Sequence, residues 1–142
     1  MIKRTLNLVY HGVVYSKKNS RRTFYRYDTR KVVNIPSKQA AIQEQTMVMG
    51  FKAQRTMAWR PDEYATYSVR VQIYQKNKQR RDLDNQVTSI LDALVRARIL
   101  PDDDFTHLQH IEVDFVGLDK NDPRAIIEVT QRYATLAENA EK

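Results

Sequence analysis

The feature that most limits the fold is a strand pattern that runs directly into a helix pattern. From Ala65 to Gln75 the side chains alternate, with Tyr67, Val69, Val71 and Ile73 on one side and Ser68, Arg70, Gln72 and Tyr74 on the other. A period of two over this length is that of a half-buried β-strand. A basic turn, Lys76-Asn77-Lys78-Gln79-Arg80-Arg81, follows at once. Then Leu83, Val87, Ile90, Leu91, Leu94 and Val95 fall on one stripe of a 3.6-residue helix, which predicts a helix over 83–98. Asp82 is placed to act as its N-cap and Asp84 lies in its first turn. Arg96 and Arg98 lie in its last turn, so both ends suit the macrodipole. Pro101 forbids continuation. Alternation resumes from Leu108 to Leu118, with Ile111, Val113 and Phe115 set against His110, Glu112, Asp114 and Val116. A strand–helix–strand core is therefore expected.

The rest of the chain supplies cover for that core. Thr5 to Tyr10 alternates as a first strand, with Leu6, Leu8 and Tyr10 on one face and Gly12 as a break or bulge. Tyr15 to Arg22 is a polar loop. Thr23–Tyr27 and Lys31–Ile35 read as a hairpin. Pro36-Ser37 opens a helix over 38–56 with Ser37 as N-cap, an incomplete apolar face at Ala41, Ile42, Val48, Met49 and Phe51, and a weak point at Gly50. Trp59-Arg60-Pro61-Asp62 ends it. Asp119-Lys120-Asn121-Asp122-Pro123 is a turn cluster before a last strand from Arg124 to Arg132, which is expected to form a hairpin with Leu108–Leu118. Residues 1–133 thus read as one α+β domain, a small mixed sheet packed by two main helices. Residues 134–142 form a polar tail.

Composition narrows the function. The 142 residues contain no cysteine, which removes disulfides and thiolate metal sites. No apolar run reaches membrane-spanning length, and Met1-Ile2-Lys3-Arg4-Thr5 has no signal-peptide core, so a soluble, cytoplasmic protein is expected. A net charge of +7 points first to nucleic acid, because phosphates attract lysine and arginine by counterion release. Seven basic residues and one acid lie between Lys17 and Lys31, interleaved with Phe24, Tyr25 and Tyr27. Such a loop can hold a phosphate backbone while rings stack on bases; a solvated hairpin with core-facing aromatics fits the spacing equally well.

Against this basic background, carboxylates are concentrated in one stretch. Asp82 and Asp84 bracket Leu83 at the strand-to-helix junction, Arg80 and Arg81 precede them, and Asp102, Asp103 and Asp104 follow one helix later. Any one of these acids could simply cap or solvate. Two carboxylates at one junction exceed what a cap needs. Hard cations such as Mg²⁺ take oxygen ligands, keep several waters and use few carboxylates plus substrate phosphate. A metal so held activates water and stabilises charge on a phosphodiester. Arg80 and Arg81 could clamp the flanking phosphates. No P-loop, zinc spacing or GxSxG motif is present, and His11, His107 and His110 show no metal-ligand spacing.

The strings Arg80-Arg81-Asp82-Leu83-Asp84-Asn85, Leu91-Asp92-Ala93-Leu94 and Asp102-Asp103 resemble the signature of the RusA-type Holliday-junction resolvases. These are Mg²⁺-dependent, dimeric endonucleases of bacteria and their phages or prophages. The likeness covers about Lys76 to Phe105; before it, only Tyr15-Ser16-Lys17-Lys18-Asn19 is similar to the family's N-terminal polar loop. The resemblance implies that Asp82, Asp84 and Asp103 bind Mg²⁺ (or Mn²⁺) and are catalytic, and that the substrate is four-way-junction or branched DNA in recombination and repair. Lys17, Lys18, Arg21, Arg22, Lys78, Arg80 and Arg81 are the expected phosphate contacts. The family usually carries a lysine four residues after the second aspartate, where this chain has Thr88. Lys78 or Lys17 would then substitute, or the chain would be a catalytically impaired branched-DNA-binding protein. A purely structural basic protein is the third alternative.

Helix length bears on Asp103. A helix over 83–98 spans roughly 24 Å at 1.5 Å per residue. The five residues from its end to Asp103 recover at most about 17 Å. Asp103 of the same chain therefore struggles to reach Asp82 and Asp84, and a two-fold homodimer supplying it from the second copy is expected.

Overall fold

Period-two and period-3.6 patterns become six strands and two helices in the computed structural model, which describes residues 2–16, 21–26, 31–36 and 38–133, with backbone alone for 21–26 and 31–36. In chain order they are β1 (Ile2–His11), β2 (Arg21–Arg26), β3 (Lys31–Pro36), α1 (Lys38–Gln54), β4 (Thr66–Gln75), α2 (Leu83–Arg96), β5 (Leu108–Leu118) and β6 (Arg124–Tyr133). A four-stranded mixed sheet has the order β1-β6-β4-β5, and β2 pairs antiparallel with β3 as a separate ribbon. The architecture is a single small α+β domain. Tyr27 and Ser37, assigned to the hairpin and to a helix cap, and the tail at 134–142 lie outside the described residues, as do Lys17 and Lys18.

The alternation in β4 is obeyed along its whole length, with Tyr67, Val69, Val71 and Ile73 buried. These side chains meet Leu6 and Leu8 of β1, Ala125, Ile127 and Val129 of β6, and Val87, Ile90, Leu91 and Leu94 of α2 in one core. The single tryptophan, Trp59, joins that core and donates its indole N–H to the Ile99 carbonyl at 3.0 Å, tying the end of α1 to the end of α2.

The last two strands do not form the expected hairpin. β6 lies between β1 and β4 and runs antiparallel to both, while β5 is the edge strand and runs parallel to β4. A five-residue turn fixes only that β5 and β6 run in opposite directions. It can also cross two strand spacings, about 10 Å, over the end of a strand between them. Burial decides between the two. β6 carries Ala125, Ile127 and Val129 at no exposure and belongs inside the sheet, whereas β5 leaves Ile111, Phe115 and Leu118 about half exposed. The crossing is locked at the end of β4: the Asp119 N–H donates to the Gln75 carbonyl at 2.8 Å. The Arg124 guanidinium lies 3.8 Å from the Tyr74 ring centroid and pairs with Asp119 at 2.9 Å. That pairing holds the Asp119 carboxyl below the usual carboxylate range.

The buried face of α1 also differs from expectation. It is Ala40, Gln43, Met47 and Phe51, while Ala41, Ile42 and Met49 face solvent. A polar residue in the buried stripe and apolar residues outside it disguise the period. In α2 the stripe is as expected, but the helix stops at Arg96, with Ala97 as C-cap. Arg98 has φ of 62°, and the Ile99 and Leu100 N–H groups turn back to the Leu94 carbonyl. The left-handed residue ends the helix before Pro101 is reached.

Candidate functional site

The parallel strands β4 and β5 run their carboxyl ends toward the same side as the N-terminus of α2, and the basic turn connects them there. Gln86, one turn into α2, is buried. Its side-chain amide exchanges hydrogen bonds with that of Gln75 at 2.9 and 3.2 Å and donates to the Val14 carbonyl at 2.9 Å. Gln43 of α1 accepts from the Tyr15 N–H and donates back to the Tyr15 carbonyl, which also accepts from the Ser89 hydroxyl at 3.0 Å. A buried amide must find partners, so these three polar side chains fix the backbone that follows β1 against both helices. The segment they fix is the polar loop at Tyr15 and Ser16.

This anchoring brings residues 15–16 and 79–86 to one place. Tyr15, Ser16, Gln79, Arg80, Arg81, Asp82 and Gln86 line a cavity of about 160 Å³. The Arg81 guanidinium stands 5.8 Å from the Tyr15 ring centroid and donates to Asn77 Oδ1 at 3.3 Å and Gln79 Oε1 at 3.1 Å. It is thus oriented by a ring and two amides. Arg80 is 92% exposed, with its Nε 3.8 Å from Asp82 Oδ1, so its fork is open to solvent.

Asp82 holds the N-cap position with extended backbone, φ −86° and ψ 124°, yet its side chain makes no capping hydrogen bond. The expectation that it caps α2 holds for position and not for chemistry. Its carboxylate meets instead Arg80 and, at 3.4 Å, the Asn85 amide. Asp84 is exposed in the first turn. The Thr88 hydroxyl donates to the Asp84 carbonyl at 2.9 Å, a bond back into its own helix that leaves no cation at that position.

Asp103 lies beyond the other end of α2. Its N–H donates to Asp102 Oδ1 at 2.8 Å, and partial burial, with Asp102 and Asp92 nearby, raises its carboxyl above the usual range. Asp104 organises the turn into β5: its Oδ1 accepts from the Thr106 hydroxyl at 2.7 Å, lies 2.6 Å from His107 Nδ1, and is held below the usual range by these contacts. Among the described residues no three His, Asp or Glu side chains of one chain are close enough to hold a metal together. Asp82 and Asp84 are brought to one helix end and Asp103 is not brought to them. His11 pairs with Asp122 at 2.9 Å.

Of the expected phosphate contacts, Lys78, Arg80 and Arg81 line a second opening beside the first, a groove of about 550 Å³ that also takes in Leu83, Phe115 and Leu118. Arg21 and Arg22 are on β2, where only the backbone is described. Reading the sequence missed the roles of Gln43, Gln75, Gln86 and Ser89. The one available signal was a glutamine and a serine set among the apolar positions of α2. Among the described residues no helix is long and apolar enough to cross a membrane. Compared with known proteins, the chain matches no family model and no curated protein at a significant level.

Proposed function

We propose that this protein is a RusA-type, Mg²⁺-dependent endonuclease that resolves four-way junctions or other branched DNA. The observation that carries this reading is the side chain of Asp82. It occupies a capping position without capping, exposed beside Asp84 and 3.8 Å from Arg80, with Arg81 lining the same cavity. A carboxylate relieved of backbone duty, with an exposed arginine beside it, suits a cation shared with a phosphodiester.

The donor set fits Mg²⁺, which takes one or two carboxylates and completes its shell with water and substrate phosphate. Asp82 and Asp84 would hold it from one chain, and Asp103 from the second copy of a homodimer. Bound there, Mg²⁺ (or Mn²⁺) supplies an acidified water and offsets phosphodiester charge. The chain's own part is positioning. Arg81, oriented by Tyr15, Asn77 and Gln79, presents its donors to a phosphate with little ordering cost. Arg80 reaches a neighbouring phosphate, and Lys78 stands in for the cation that Thr88 does not provide. Lys17, Lys18, Arg21 and Arg22 would supply further phosphate contacts. Two identical sites related by a two-fold axis suit a substrate in which two strands are cut symmetrically. The setting would be the bacterial cytoplasm, for a protein of bacterial, phage or prophage origin.

Thr88 favours one second reading, a protein of the same fold that binds branched DNA without cutting it. Incubating the protein with a synthetic four-way junction separates the two. Paired, symmetric nicks with Mg²⁺ and none in chelator support the nuclease. Salt-sensitive binding without nicking at any Mg²⁺ or Mn²⁺ concentration establishes the binding protein.

A further inference from the structure

We infer that the groove between the basic turn and the end of β5 is a subsite for an unstacked nucleobase, with Phe115 as its stacking platform. The inference rests on the reading of the protein as a branched-DNA nuclease and specifies what it grips at the branch.

The groove, about 550 Å³, has the size of a small-ligand site and is lined by residues of two kinds. Asn77, Lys78 and Arg80 are cationic or polar; Leu83, Phe115 and Leu118 are apolar. Phe115 is 52% exposed and Leu118 49%, at the end of an edge strand. The β4–β5 register shifts between Ile73 and Tyr74, so that Phe115 pairs with Ile73 and Gly117 with Tyr74. Val116 is the extra residue of a bulge, a device that re-aims neighbouring side chains. An uncharged apolar ligand would leave Lys78 and Arg80 unused, and a bare phosphate would leave Phe115 unused. A nucleotide within a DNA strand uses both, its base on the ring and its phosphates on the cations.

Position adds a second argument. Leu83 lines the groove and lies in the chain between Asp82 and Asp84. A base seated there carries its adjoining phosphate to the two carboxylates. In intact duplex the bases are stacked and paired and do not reach such a groove. At a branch point they do, so this subsite would select DNA structure rather than sequence.

The test compares binding in EDTA, at fixed salt, to a short duplex and to the same duplex bearing one unpaired 2-aminopurine. The wild type prefers the unpaired base by about tenfold and quenches its fluorescence. Phe115→Ala abolishes preference and quenching while duplex affinity stays, and Phe115→Trp retains both; thermal melting confirms that each variant is folded. Absence of any wild-type preference overturns the inference. So does a Phe115→Ala protein that keeps the preference, or one that weakens duplex and unpaired-base binding equally. A Phe115→Ala change that splits a dimer in light scattering and leaves the preference intact assigns the groove to a second copy instead. The nuclease reading fails separately, through absence of Mg²⁺-dependent nicking of a junction by a wild type that still prefers the unpaired base.

Discussion

Two side chains at the start of α2 bear most directly on the proposed site. Asp82 gives up capping, and Thr88 turns its hydroxyl into its own helix. Thr88 is exposed one turn below Asp84, so a lysine there meets no steric barrier and sacrifices only the back-bond. Thr88→Lys is expected to add one phosphate contact, tightening DNA binding and steepening the dependence of log K on log salt by about 0.9. A salt titration by fluorescence anisotropy reads this directly. Arg98 is a stability counterpart. Its left-handed backbone, φ 62°, strains a residue with a Cβ and suits glycine. Arg98→Gly should stabilise the fold by about 1 kcal/mol, seen as a rise in Tm of about 3 °C.

At the scale of elements, α2 joins core to site. Its apolar stripe anchors it on β4, and Gln86 and Ser89 beside that stripe hold the loop after β1. Gln86→Ala would leave the Gln75 amide and the Val14 carbonyl buried without that partner. The expected cost is about 1–3 kcal/mol for each group left unsatisfied. Tm should fall, and DNA affinity should fall with it because Tyr15 loses its fixed place beside Arg81. A variant that melts early but binds DNA normally would separate these roles. The elements were legible in the sequence where one face is buried and the other wet, as in β4 and α2. Strand order was not, because alternation reports which face is buried and not which strand is the neighbour; β5 and β6 show this. The face of α1 was hidden by Gln43 inside it and by Ile42 and Met49 outside it. Asp82 and Asp84 were legible because they are contiguous with Arg80 and Arg81. Tyr15 and Phe115 were not, because only the fold brings residues 15 and 115 to the ends of the basic turn.

At the scale of the whole molecule, one chain places Asp82 and Asp84 at one end of α2 and Asp103 beyond the other end. A homodimer with composite sites makes a prediction that a self-contained site does not. Asp82→Asn and Asp103→Asn homodimers should both be inactive. A mixed dimer of the two has one site with both lesions and one site with neither, so mixing should restore nicking on one strand of each junction. Failure of the mixture to nick, with subunit exchange demonstrated, would exclude the composite site. Beneath the question of assembly lies the central claim, that the carboxylates at the mouth of α2 hold a divalent cation for phosphodiester hydrolysis. Its most direct measurement is the single-turnover nicking rate of a labelled four-way junction by wild type and by folded Asp82→Asn across a Mg²⁺ titration. Saturable, Mg²⁺-dependent nicking by the wild type that falls at least about a hundredfold in the variant, near 3 kcal/mol of transition-state stabilisation, is the expected result. Equal rates for the two proteins, or no nicking by either, would contradict it.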